Sequence, residues 1–149
     1  MAATSGISNS ERLENLIAHF EARTLPRQKW THRAHLGLAL WTLQHFSPNE
    51  ALEYLRREIP AYNESIGVIN GPFSGYHETM TQFYLRAVAA FLSQQNKTPE
   101  TPDCEEVWEQ LAQKWGDRNA IFAYYSRRYL FSPSTRAHFA PPDLRPLDF

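Results

Sequence analysis

Apolar residues recur every three or four positions along most of this 149-residue chain. Such spacing places them on one face of an α-helix, and the alternating pattern of a half-buried strand is absent. The sequence therefore predicts an all-α protein, a compact bundle of five to six helices with an extended C-terminal tail. Because the length suits one domain with its own core, we expect residues 1–149 to form a single helical domain. Residues 1–8 are predicted to be disordered, and residues 132–149 to form a tail that packs along the bundle.

Helix-capping residues and prolines set the predicted helix boundaries. Ser47, Pro48 and Glu50 combine a capping serine, a proline at the first helical position and a glutamate at the third, which is typical of a helix start. Pro60 lies within the helix that follows and predicts a kink or a break there. Helices are predicted over about 8–23, 31–46, 47–66, 77–95 and 101–115, with a sixth from a cap at Asp117 to about Tyr129.

Composition excludes several classes of protein. The chain has 15 Lys and Arg against 16 Asp and Glu, a formal net charge of −1, so we expect no basic nucleic-acid surface. No apolar run approaches the roughly 20 residues of a membrane span, and residues 1–10 lack the apolar core of a signal peptide. The single cysteine, Cys104, has no internal partner, which fits a reducing compartment. We therefore expect a cytoplasmic protein that contacts neither membrane nor nucleic acid, and the sequence leaves its oligomeric state open.

Two histidine clusters stand at predicted helix starts. His32 and His35 follow Thr31, which can cap the second helix, and His77 stands beside Glu78 at the start of the fourth. At roughly 100° per residue all three histidines fall on the apolar stripes of their helices. A single core-facing histidine is usually a hydrogen-bonded packing residue. Three of them together indicate a functional site.

Connectivity predicts that the two clusters meet. Short connections make successive helices antiparallel neighbours, so the starts of the second and fourth helices share one end of the bundle with the finish of the third. Residues 27–30, the glycine loop 67–76 and the turn 116–119 reach the same end. Besides the three histidines and Glu78, the expected site contains a group of substrate-binding candidates: Lys29, Trp30, Asn63, Asn70, Tyr76 and Thr81.

The chemistry of this predicted site allows a metal. Three neutral imidazoles with an optional carboxylate suit zinc, iron or manganese, with His32, His35 and His77 as the ligands. The spacing matches neither the His-Glu-x-x-His nor the Glu-x-x-His signature. Converging helix N-termini favour an anion and keep histidine neutral.

Three functions are therefore open. The leading hypothesis is a small enzyme, metal-dependent, that acts on a small anionic substrate. The second is a metal-free enzyme in which His35 or His77 moves a proton, with Glu78 orienting it or acting as an acid/base itself, while the helix ends and Lys29 or Arg33 hold a carboxylate or phosphate. The third is a non-catalytic module that binds a small ligand.

Overall fold

The computed structural model describes residues 12–95 and 103–149 as a helical bundle. Its helices are α1 (Leu13–Glu21), α2 (His32–His45), α3 (Pro48–Ser65), α4 (Glu78–Gln95), α5 (Cys104–Trp115), α6 (Arg127–Leu130) and α7 (Pro133–Ala137), with 3-10 turns at Arg27–Lys29 and Ala120–Ala123. These two ranges contain no strand beyond an isolated bridge between Gly71 and Ser74, which confirms the predicted all-α bundle. Within them, no helix combines the length and the apolar character needed to cross a bilayer. The predicted disorder of residues 1–8 and the predicted helix starts at Ser8 and Thr101 lie outside the described residues.

Helix α2 forms the centre of the bundle, because α1, α3, α4 and α5 all pack against it. Leu36 and Leu38, which lie on opposite sides of α2 at roughly 100° per residue, are 0% and 1% exposed. A helix surrounded in this way is apolar on most of its circumference rather than along one stripe. Gly37 lets side chains of α1 and α5 pack close to the backbone of α2. A Cβ at this position would lie 2.8 Å from Cε2 of Trp108 and 2.9 Å from Cδ1 of Leu13.

Local capping fixes the starts of α2 and α3. The Thr31 hydroxyl accepts a hydrogen bond from the N–H at the third helical position of α2. Ser47 and Glu50 form the reciprocal capping box that the sequence predicts. Pro60 lies inside α3, and the helix continues past it, so of the two predicted alternatives, a kink or a break, the break does not occur. The end of α3 therefore stays beside the starts of α2 and α4.

The segment after α5 differs from its prediction. One helix capped by Asp117 was expected to reach Tyr129, but a 3-10 turn and the short α6 replace it. Tertiary hydrogen bonds explain the difference: the Tyr125 hydroxyl donates to the Ala140 carbonyl at 2.6 Å, and the Tyr129 hydroxyl donates to the carbonyl of residue 141 at 2.7 Å. These bonds hold the tail against the bundle.

Candidate functional site

A cavity of about 710 Å³ opens at the end of the bundle where α2 and α4 begin and α3 ends. Its volume lies within the range of about 300–1,000 Å³ usual for small-molecule pockets. Most of the residues predicted for the site line this cavity, namely Trp30, His32, His35, Asn63, Tyr76, His77 and Thr81. His32, His35 and His77 thus all line one cavity at the bundle end that the connectivity predicts.

Three predicted site residues do not line the cavity: Lys29, Asn70 and Glu78. Lys29 is exposed on the 3-10 turn before α2. The Asn70 side-chain oxygen accepts hydrogen bonds from Nδ2 of Asn63 at 3.0 Å and from the backbone N–H of Tyr76 at 2.9 Å. Asn70 therefore folds the loop between α3 and α4 and does not face a ligand.

The Glu78 carboxylate lies buried behind the cavity wall. Arg56 donates to both of its oxygens, with an Nη2–Oε2 distance of 2.5 Å. Gln82 donates to it at 2.6 Å, and the Tyr76 hydroxyl donates at 2.9 Å. Burial raises the pKa of Glu78, but these hydrogen bonds and the Arg56 charge hold it below its ordinary value. Glu78 is thus ionised and holds the wall residue Tyr76 in place. The predicted direct proton transfer requires contact with a ligand, and Glu78 does not line the cavity.

His35 presents a free ring nitrogen within the cavity walls. Its Nδ1 lies 2.6 Å from the Thr31 carbonyl. Because a carbonyl only accepts, Nδ1 carries the proton and Nε2 keeps its lone pair. The ring packs on Trp30 with centroids 3.8 Å apart.

The surroundings of His35 keep it neutral. The His35 side chain is accessible to solvent. Because His35 lines the cavity, we infer that its accessible surface faces the cavity. Burial, aided by the nearby His32 and opposed by the Thr31 hydrogen bond, lowers the pKa of His35 to about 4. His35 is therefore a neutral base within reach of a ligand.

The other two histidines are tied to backbone groups. Nε2 of His32 donates to the Trp115 carbonyl at 2.7 Å, which leaves Nδ1 of His32 free. Nε2 of His77 donates to the Leu130 carbonyl at 2.8 Å, and Nδ1 of His77 accepts from the Met80 N–H at 3.2 Å. Both ring nitrogens of His77 are thus occupied, so the predicted metal site requires it to give up a hydrogen bond. Among the described residues, no group of three or more His, Cys, Asp or Glu side chains is arranged to hold a metal ion.

Three arginines that the sequence-based prediction missed also line the cavity: Arg27, Arg118 and Arg127. In the part of the chain that the structure describes, none of them forms an ion pair, whereas Arg33, a predicted anion holder, pairs with Glu109 at 2.7 Å. No acidic residue is found among the described residues of the cavity wall. Arg27 and Arg118 lie in segments that the connectivity places at this end of the bundle. Their place in the sequence could therefore have indicated that they line the site. Nothing in the sequence indicates Arg127.

We predict that His35 makes folding stability depend on pH between about 6.5 and 4. The ordinary pKa of histidine is about 6.5, and in the folded protein the pKa of His35 is lowered to about 4. As the pH falls through this window, the unfolded chain takes up a proton that the folded chain does not. The free energy of unfolding therefore decreases. Urea unfolding at pH 7.5, 6 and 5 should show a shallower decrease for His35→Gln than for the wild type.

His45 provides the matched control for this pH experiment. At the other end of α2, its Nδ1 also bonds a backbone carbonyl, that of Trp41 at 2.9 Å, and its ring stacks on Trp41. His45→Gln should keep the wild-type slope. Some slope remains in His35→Gln, because burial also lowers the pKa of His77. Equal slopes in all three proteins would contradict the assignment of His35.

The cavity therefore combines a neutral imidazole with arginine side chains that have no carboxylate partner nearby. Such walls can hold a small anion through charge-assisted hydrogen bonds and offer it a proton acceptor. Comparison of the chain with models of protein families, with curated proteins and with solved structures finds no significant match.

Proposed function

We propose that the protein is a small enzyme that binds an anionic small molecule in the end cavity and uses His35 to move a proton on it. The observation that carries this proposal is the Nε2 atom of His35, an unprotonated ring nitrogen in the cavity wall. Arg27, Arg118 and Arg127 supply the charge that holds a carboxylate or phosphate.

The proton transfer follows from this arrangement. Nε2 of His35 accepts a proton from a C–H or O–H bond of the substrate, and the electron pair of that bond stays on the substrate. His35 becomes an imidazolium and then returns the proton to a second atom of the same molecule, which regenerates the neutral ring. The charge of the bound anion raises the pKa of His35, so the base is stronger when substrate is present. The arginines stabilise the negative charge that develops.

Supporting residues hold the base and the wall in place. The Thr31 carbonyl fixes the tautomer of His35, and Trp30 packs against the ring face. Glu78 acts indirectly. It accepts a hydrogen bond from the Tyr76 hydroxyl and so orients this residue of the cavity wall. We assign the enzyme to the cytoplasm because Cys104 is a free cysteine, which suits a reducing compartment.

The metal-dependent alternative stays a prediction. Nε2 of His35 and Nδ1 of His32 are both free to bind zinc, iron or manganese, and the two rings lie close enough for the charge of one to affect the other. The same cavity also suits a non-catalytic binding module. Binding alone does not separate that module from an enzyme, so the test must include turnover.

We expect at least one small anion both to stabilise the protein and to exchange protons. Acetate, hexanoate, citrate, phenyl phosphate and inorganic phosphate would be screened by thermal unfolding in EDTA. A ligand at 100 times its dissociation constant adds about 2.7 kcal/mol to the free energy of unfolding. Acetate, hexanoate and citrate, which carry C–H bonds next to a carboxylate, would also be incubated with the protein in D₂O, and deuterium incorporation at these carbons would be followed by NMR. Arg127→Gln should weaken the stabilisation.

Each result of this screen leads to a different conclusion. Stabilisation with deuterium exchange supports the proposed enzyme. Stabilisation without exchange by any compound contradicts it and favours the binding module. If only zinc, iron or manganese stabilises the protein once EDTA is omitted, the metal-dependent alternative takes its place.

A further inference from the structure

We infer that the ligand of the end cavity is an amphipathic organic acid, with one anionic head group at the cavity mouth and an apolar body directed toward the bundle core. This inference rests on the proposed function and adds the class of substrate. Three observations carry it: the order of burial along the walls, the aromatic groups at the mouth, and the hydrogen bonds that the polar wall residues already make.

Burial divides the cavity into a charged mouth and an apolar floor. Arg27, Arg118 and Arg127 line it and are exposed, so they stand where the cavity meets solvent. Leu38, Leu55 and Ile121 also line it and are 1%, 3% and 1% exposed, so they form its inner end. A small hydrated anion satisfies the arginines but leaves the apolar floor without a partner. An acid with an apolar body satisfies both regions and gains the free energy of apolar burial.

Aromatic side chains extend the apolar surface to the mouth. The guanidinium of Arg127 lies 4.1 Å from the ring centroid of Phe122, which also lines the cavity. Phe131, another wall residue, packs against Phe122 and is 41% exposed. An exposed phenylalanine beside an unpaired arginine offers one ligand an apolar contact and a charged contact together.

Several polar side chains of the wall already donate their hydrogen bonds within the protein. Nδ2 of Asn63 donates to Asn70, and the Thr81 hydroxyl donates to the His77 carbonyl. The Tyr76 hydroxyl donates to Glu78. Because these donors are already paired, little of the wall is left to bind a polyhydroxylated body. The buried hydroxyl of Tyr84, which has no partner among the described residues, can bind one polar atom of an otherwise apolar ligand.

Calorimetric titration with a homologous series tests this inference. Acetate, butyrate, hexanoate and octanoate would be titrated into the protein in EDTA, together with butanamide and hexanamide. We expect affinity to rise about fourfold per methylene, the equivalent of about 0.8 kcal/mol per buried CH₂, until the floor is filled. Each amide should bind at least about tenfold more weakly than its acid, since a charged hydrogen bond contributes roughly 1.5–3 kcal/mol.

Matched arginine variants separate the head group from the body. Arg127→Gln should weaken hexanoate several-fold and leave hexanamide unchanged. Arg86→Gln is the control, because Arg86 is also exposed and stacks 4.4 Å from the Phe139 ring centroid, but outside the cavity. Ala39→Leu, in the inner wall, should shorten the preferred acid. If Ala39→Leu fails to fold, the comparison of Arg127→Gln with Arg86→Gln, both at exposed positions, still tests the head-group assignment.

The outcomes distinguish this inference from the proposed function. If acetate binds as tightly as hexanoate and undergoes deuterium exchange, the proposed function stands and the amphipathic class is wrong. If the amides bind as tightly as the acids, the head-group assignment is wrong. If no anion of any length binds, both proposals fail.

Discussion

Replacing His35 with glutamine should lower kcat on the best substrate of the anion screen by about 10²- to 10⁴-fold, the range that a general base contributes. Glutamine has similar size and polarity but no basic lone pair at the position of Nε2. KM should change little, because the anion is held by arginines rather than by His35. The measurement is a comparison of kcat and KM for wild type and His35→Gln by the deuterium-exchange assay.

His45→Gln serves as the control for this kinetic comparison. His45 has the same kind of backbone bond and aromatic neighbour as His35 but lies at the opposite end of α2, so its variant should retain wild-type kcat. A His35→Gln enzyme with unchanged kcat and a raised KM would reduce His35 to a binding residue. Equal losses of kcat in both variants would show a general effect of changing α2.

The helices and their meeting point could be predicted because they depend on short-range rules. Thr31 and Ser47 mark the starts of α2 and α3 through hydrogen bonds that span three residues. Apolar spacing gave most of the core, such as Val88 at 0% exposure. Leu43 of α2 is only half-buried, because the depth of an apolar residue depends on which side chains of the other helices pack over it. Antiparallel connectivity then placed both histidine clusters at one end.

The roles of the individual site residues depend on partners that are remote in sequence. His32 bonds a carbonyl 83 residues away, and His77 bonds one 53 residues away. The spacing of residues in the sequence does not show which ring nitrogen of a histidine remains free once such contacts have formed. For the same reason the sequence does not indicate that Arg127 lines the cavity. The sequence therefore located the histidine site but could not separate His35, which is free, from His77, which is not.

His77→Ala should lower the free energy of unfolding by about 2–4 kcal/mol in EDTA-containing buffer. His77 is 6% exposed, and its ring joins the start of α4 to the end of α6 through Met80 and Leu130. Removing it leaves the Leu130 carbonyl without this partner, which costs about 1–3 kcal/mol for a buried group. The space left by the ring adds a cavity term. Urea unfolding measures the sum.

Two conservative variants divide this loss between the two hydrogen bonds. His77→Asn can still accept from the Met80 N–H, as asparagine does at many helix starts, but is too short to reach the Leu130 carbonyl. His77→Gln can donate toward Leu130 at the expense of the contact with Met80. Each should recover part of the stability that His77→Ala loses. If neither does, the two hydrogen bonds are not what holds α4 and α6 together.

The same variants decide between the hydrogen-bonding role of His77 and the predicted metal-binding role. A metal ligand stabilises the fold only when the ion is bound, because a ligand selective for the folded state raises its apparent stability. Under that hypothesis, His77→Ala matches the wild type in EDTA and falls behind it when zinc, iron or manganese is added. Under the hydrogen-bonding role, the loss is full in EDTA and does not grow with any of these ions. A loss confined to the metal-containing samples would return His77, with His32 and His35, to a metal site.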